Sequence, residues 1–209
     1  MPDVPPTTSH RTPSGTIDAG YFEALYQADP DPWAFASSPY EAAKYAATLA
    51  ALPDARYGRA LEVGCAIGVL TRQLAARCDT LVAIDVADAA LAQARRHLDG
   101  QAHVTVARRA VPGETPAGPF DLVVVSEVGY YLSAPDLARF ERQLAAAVPE
   151  GGHAVLVHWT GETDYPLDAD AVHAAFDAPD WRRLRDDRAE GYRLTVVERA
   201  SSGRAYVAR

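Results

Sequence analysis

The sequence predicts a three-layer α/β sandwich, helices on both sides of one mostly parallel sheet. Three observations predict it. Short apolar runs alternate with helix-period segments from Arg59 onward. Phe120–Val125 is apolar on both faces apart from Asp121, as a central parallel strand must be. Near the end, Tyr192–Arg199 and Arg204–Arg209 flank Ser201-Ser202-Gly203 and read as an antiparallel hairpin. With 209 residues, 48% of them hydrophobic, the chain can bury a substantial core, and no internal repeat or second domain is visible.

Taken in order, Tyr21–Ala28 is a helical segment stopped by Asp29-Pro30-Asp31-Pro32, because each proline forces extended backbone before it. Ser38-Pro39 opens the helix Tyr40–Leu52 with a cap, a first-turn proline and Glu41 near the positive end of the dipole. Strand Arg59–Val63, helix Ile67–Arg77, strand Leu81–Ile84 and helix Ala87–Leu98 follow, then strand Ala102–Ala107 and the loop Pro112–Pro119. After the strand Phe120–Val125, Ser133 caps the helix Ala134–Ala147, and Gly151-Gly152 turns the chain into the strand His153–His158. Asp168–Phe176 reads as a helix before the hairpin. The expected sheet is Rossmann-like and seven-stranded, with its last strand antiparallel. Residues 1–17 are expected to be a flexible leader, 18–53 a helical lid over the cleft, and 54–209 the sheet domain.

The stretch Arg59–Leu70, RALEVGCAIGVL, carries the most chemistry. It sets Glu62-x-Gly64-x-x-x-Gly68 where a buried strand turns into a helix, and glycine there lets a ligand approach the backbone. Asp85 ends the next apolar run, twenty-one residues after Gly64, where a carboxylate can accept both hydroxyls of a ribose. A dinucleotide site would have glycine where Glu62 stands, and a carboxylate aimed at a pyrophosphate would repel it. The same carboxylate suits an ammonium. S-adenosyl-L-methionine offers a ribose, an adenine and a methionyl ammonium with no phosphate, so Glu62 and Asp85 fit it better than NAD. The Walker pattern of nucleoside triphosphate sites is absent.

The net charge of −8 without a basic cluster disfavours nucleic acid and anionic membrane as partners. Cys65 and Cys78 have no metal-ligand spacing, nor is there an H-E-x-x-H pattern, so no metal is expected. The N-terminal residues lack the apolar core of a secretory signal, and no apolar run approaches the roughly 20 residues that cross a bilayer. These features predict a cytoplasmic chain in a reducing compartment, expected to act as a monomer or weak dimer on a small molecule; an oligosaccharide acceptor is implied only by the resemblance that follows.

The chain resembles class I S-adenosylmethionine-dependent methyltransferases, and within them the nodulation protein S group. The resemblance lies in DPDPWAFASSPYEAAKY (Asp29–Tyr45), ALEVGCAIGVLT (Ala60–Thr71), FDLVVVSEVGYYL (Phe120–Leu132) and His158-Trp159. It implies a seven-stranded fold over 54–209 and transfer of the sulfonium methyl to the free amine of a deacetylated amino sugar. Small-molecule O-methylation and cofactor binding without turnover are the alternatives. It also implies Glu62, Gly64, Cys65 and Gly68 around the methionyl part, and Asp85 and Val86 at the ribose and adenine. Ala110, beside Arg109, falls where many relatives carry an adenine-binding aspartate.

Ser126, Glu127, Tyr130 and Tyr131 follow the central strand at its carboxyl end, where open sheets collect ligands. Glu127 is the first candidate to orient the nucleophile or accept its proton, or else it caps the next turn. His158 is the second candidate base. Trp159 offers a flat face to a sugar, while Tyr130 and Tyr131 line the pocket or pack. Trp33 belongs to the acceptor site or to the lid's own core. Tyr40, Glu41 and Lys44 can reach the carboxylate or ammonium of the cofactor, with Tyr40 and Lys44 one helical turn apart.

Overall fold

The computed structural model describes residues 7–201, and the strand–helix alternation is present throughout them. Strands β1 (Tyr57–Val63), β2 (Cys78–Asp85), β3 (Val104–Arg108), β4 (Leu122–Ser126), β5 (His153–Trp159), β6 (Trp181–Ala189) and β7 (Tyr192–Arg199) form one sheet. Their order is β3-β2-β1-β4-β5-β7-β6. The pairs β1–β2, β2–β3, β1–β4 and β4–β5 are parallel, and β7 runs antiparallel to both β5 and β6. The winding reverses between β1 and β4, so a crevice opens beyond their carboxyl ends.

Helices α1 (Ala19–Ala28), α2 (Pro39–Ala51), α3 (Val69–Ala75), α4 (Asp88–His97), α5 (Ala134–Ala147) and α6 (Ala169–Ala174) surround the sheet. Local sequence sets several of their starts. The side chains of Asp18, Ser38, Ser133 and Asp168 accept from the amides of Tyr21, Glu41, Asp136 and Ala171. Strand alternation then divides the core. Leu61, Val63, Val123, Val125 and Leu156 pack with Phe140 and Leu144 of α5 and with Val172 of α6. Ala60, Leu122, Val124, Val155 and Val157 face the other way, onto Leu70 and Leu74 of α3 and Tyr45 of α2. Each large side chain so buried stabilises the fold by about 1.5–3 kcal/mol through lost water contact.

Four expectations need correction. The terminal hairpin pairs β7 with β6, joined at Glu190-Gly191. The strand expected at Arg204–Arg209 lies outside the described residues. β6 has no apolar alternation because it is an exposed edge, kept charged by Arg183–Asp186 and Arg185–Asp187 pairs. The helix expected over Ile67–Arg77 spans Val69–Ala75, and the strand expected from Leu81 begins at Cys78. Residues 7–17, expected as a flexible leader, take a defined course. The Thr7 amide donates to Asp164 Oδ2 at 2.6 Å, Ser14 Oγ donates to Asp136 at 2.6 Å, and the Ile17 amide donates to Tyr131 O at 2.9 Å. The expected helix Asp168–Phe176 divides into α6 and a 3-10 turn, Ala175–Asp177.

Candidate functional site

β1 leads into α3 through a turn with Gly64 at φ +80°, Ala66 at φ +48° and Gly68 at φ +85°. A Cβ on Gly64 would stand 2.3 Å from Val128 Cγ2 and 3.0 Å from Ser126 O, so the turn closes directly on the segment after β4. Gly68 serves packing instead, since its Cβ would meet Ala94 of α4 at 3.1 Å. Asp85 holds the turn in place. Its Oδ2 accepts from the Ala66 amide at 2.9 Å, and its Oδ1 accepts from Val86 and Ala87 at 2.7 and 3.0 Å. Burial raises its pKa, and the three amides oppose that rise. Oδ2, with one amide against two on Oδ1, is the freer oxygen for a ribose hydroxyl.

A cleft of about 810 Å³ opens over this turn. Of the residues singled out from sequence, Tyr40, Lys44, Gly64, Asp85, Val86, Arg109, Ala110, Ser126 and Glu127 line it, with Trp33, Tyr130, Tyr131 and Trp159. Glu62 and Cys65 lie behind it, around a chamber of about 30 Å³ that also touches Glu41, Gly64, Ser126 and Glu127. That volume suits one small polar group. Glu62 is 1% exposed, and burial first, then Asp85, raises its carboxyl to about 7. Burial also raises Glu41. Lys44 foremost, and then the Tyr45 hydroxyl, pull Glu41 back toward its usual range, as the Thr71 hydroxyl does for Glu62. Even so, Oε2 of Glu62 and Oε2 of Glu41 each have no hydrogen-bond partner.

Lys44 of α2 joins the helical segment to the sheet. Its Nζ donates to Glu41 Oε1 at 3.0 Å and to Glu127 Oε1 at 2.6 Å. The second oxygen of Glu127 accepts from the Tyr130 hydroxyl and from the Trp159 amide. Burial acts to raise the Glu127 carboxyl, but Lys44 leads the opposing groups and brings it below the usual value. Glu127 therefore stands ionised with both oxygens engaged, which suits an anchor and not a proton acceptor. Its φ of +56° is strained for a side chain of this size, and the three partners hold it there.

His158 corrects a second expectation. It is fully buried and lines neither the cleft nor the chamber. Its Nε2 accepts from the Gly129 amide at 3.0 Å, and burial lowers its pKa to about 4. The lone pair a base would use is already occupied. Trp159, the next residue on β5, does reach the cleft, close against Gly161 and Gly191 and edge-on to Tyr40 at 6.0 Å.

Sequence reasoning missed several lining residues. Thr12–Asp18 and the tip Glu190-Gly191 reach the cleft through long-range packing, with no local signal. Asp31 could have been found: in the Asp-Pro-Asp-Pro turn its carboxylate accepts from the Phe35 and Ala36 amides. This sets Trp33 and Phe35 in a stack at 5.7 Å on the cleft wall.

The profile of the Nodulation protein S (NodS) family matches residues 23–148. Nodulation protein S of Rhizobium tropici is 36% identical over 129 residues, 60% of this chain and 53% of that protein. The chain thus spans about half the length of that curated relative. A solved structure described as a putative methyltransferase from Pseudomonas syringae is 40% identical, with a TM-score of 0.68, over 77% of this chain and 99% of that one. The N-methyltransferase NodS from Bradyrhizobium japonicum WM9, solved with S-adenosyl-L-homocysteine, superposes with a TM-score of 0.79 at 23% identity. It covers 88% of this chain and 99% of that one, and shows the shared fold.

Proposed function

Because this chain belongs to the nodulation protein S family, we propose that it is an S-adenosylmethionine-dependent methyltransferase acting on the free amine of a deacetylated amino sugar or chitooligosaccharide-like acceptor. The observation that carries the cofactor assignment is the chamber behind Gly64. Two buried carboxyl groups, Glu41 and Glu62, border a space that suits one ammonium, and each has an oxygen without a hydrogen-bond partner. The rest of the cleft fits the same group: Asp85 Oδ2 for a ribose hydroxyl, with Val86, Arg109 and Ala110 for the adenine end. S-adenosylmethionine supplies an electrophilic methyl on a sulfonium.

The chain's residues align the acceptor and exclude water. Glu127 fixes Lys44, Tyr130 and the Trp159 backbone as one wall, against which Trp159 and Tyr131 present aromatic faces. Both oxygens of Glu127 are engaged, so in this reading the amine enters already neutral, its proton lost to solvent. The buried free cysteines fit a reducing, cytoplasmic setting.

The test is incubation with methyl-labelled S-adenosylmethionine and a glucosamine oligomer, against the N-acetylated oligomer. Label should enter only the free-amine form. Equal labelling of both would point to oxygen, and labelling of neither would reject the acceptor class.

Residues 18–53 act in this reading as a lid, because Glu41 and Lys44 of α2 and Trp33 all face the cleft. Amide hydrogen exchange should slow across α1 and α2 when S-adenosylhomocysteine is added. Equal exchange in both states would leave them as ordinary packing.

A further inference from the structure

Behind the cleft wall runs a chain of buried polar groups that methyl transfer does not use. The Gly129 amide donates to His158 Nε2 at 3.0 Å, and His158 Nδ1 lies 3.1 Å from His173 Nε2. His173 Nδ1 is 2.6 Å from Thr195 Oγ1, which donates to Asp186 Oδ1 at 3.0 Å. His158, His173 and Thr195 are fully buried, and the chain crosses β5, α6, β7 and β6.

Its direction follows from its ends. A backbone amide can only donate, so His158 Nε2 is bare and its hydrogen sits on Nδ1. That hydrogen points to His173, whose Nε2 must be bare in turn. The His173 hydrogen is then on Nδ1, donated to Thr195, whose hydroxyl donates to an ionised carboxylate that only accepts. Arg193 and Arg183 hold Asp186 ionised, with contacts at 2.8 and 2.7 Å. Protonating either ring would set two donors face to face.

The near end of the chain meets the segment that forms the acceptor wall. Gly129 follows the strained Glu127 and precedes Tyr130, whose hydroxyl holds Glu127 and whose ring lies 5.2 Å from that of His158. A Cβ on Gly129 would stand 3.0 Å from His158 Nε2 and 2.4 Å from Val172, so the turn is seated directly on the imidazole and α6. We propose that His158, His173, Thr195 and Asp186 form a one-way hydrogen-bond chain that fixes the Glu127–Tyr131 turn, making His158 and His173 positioning residues for the acceptor. It deepens the methyltransferase reading, on which only its kinetic test rests.

Long-range proton–nitrogen correlation spectra of the labelled full chain test the chain itself. His158 and His173 should both carry hydrogen on Nδ1 at pH 7, the less common form of a free imidazole, and both should be neutral. Hydrogen on Nε2 of either ring, or a charged ring, overturns the proposal whatever the protein methylates. In kinetics, H173L breaks the chain, while H173Q supplies an amide oxygen for His158 and an amide hydrogen for Thr195. H173L should lower kcat/KM for the acceptor about tenfold or more, with affinity for S-adenosylhomocysteine within about threefold of wild type. H173Q should recover most of the loss. Equal losses in the two variants, or none in H173L, would contradict positioning. Should H173L not fold, T195V makes the same break from the far side, and a wild-type kcat/KM in T195V would overturn the proposal.

Discussion

Replacing Glu127 with glutamine is expected to lower stability by about 3 kcal/mol, the lower end for breaking a buried ion pair from one side. It should also reduce acceptor turnover about a hundredfold, the cost of displacing a positioned reactant by about 1 Å. The amide cannot satisfy all of the carboxylate's partners. If its oxygen serves Tyr130 and the Trp159 amide, its NH2 faces the Lys44 ammonium; if it turns round, its NH2 faces the Trp159 amide. In the first orientation Lys44, 2% exposed, is left with Glu41 alone. The loss follows from a displaced wall and not from a missing base, because Lys44 holds the Glu127 carboxyl below its usual range. Wild-type kcat should accordingly show no ionisation of Glu127 between pH 6 and 9. Urea unfolding and steady-state kinetics check both parts. An E127Q protein within about 0.5 kcal/mol of wild type, a change no larger than an ordinary surface substitution makes, would show that Glu127 is a turn residue only.

The centre of the fold was legible because each step is locally encoded. β4 is buried on both faces, and its run of Leu and Val has no other stable use. Ser38-Pro39 and Ser133 mark helix starts through the same side-chain bonds that the structure contains. β6 was not legible, because an edge strand shields itself with charge and so loses the apolar alternation that announces a strand. Residues 7–17 owe their course to partners more than a hundred positions away, such as Asp164 for Thr7 and Asp136 for Ser14. No local composition carries that information.

The candidate site divides in the same way. The ends of β1, β2, β4 and β5 were placed by the strand pattern, and ligand-facing residues at those ends follow from the topology. Which neighbour faces the cleft did not follow. His158 and Trp159 are adjacent on β5, so their side chains take opposite faces, and only Trp159 reaches the cleft. The chemistry of Glu127 was likewise hidden, because it depends on Lys44, 83 positions earlier in the chain. Glu41 reads in sequence both as a first-turn acidic residue suited to the helix dipole and as a group able to reach the cofactor's ammonium. Only the structure shows that its second oxygen is buried without a hydrogen-bond partner, in a chamber it shares with Gly64.

The central claim is that Glu41 and Glu62 receive the ammonium of a methionyl tail. S-adenosylhomocysteine carries that ammonium, and 5′-methylthioadenosine has the same adenosine and sulfur without it. Two charge-assisted bonds at about 1.5–3 kcal/mol each should make S-adenosylhomocysteine the tighter ligand at pH 8 by at least about a hundredfold. The pH dependence follows from Glu62, raised to about 7 by burial and then Asp85, against the pull of Thr71. Below that value the free protein holds the carboxyl protonated, and binding an ammonium must expel the proton. Affinity for S-adenosylhomocysteine should therefore rise with pH up to about 7, by as much as about tenfold per unit, and level off above it. Methylthioadenosine should show no such rise. Calorimetric titration of the wild-type chain with both ligands from pH 5.5 to 8 is the direct measurement. A large preference for S-adenosylhomocysteine that shrinks below pH 7 is the predicted result; equal affinity for the two ligands across that range would contradict the account.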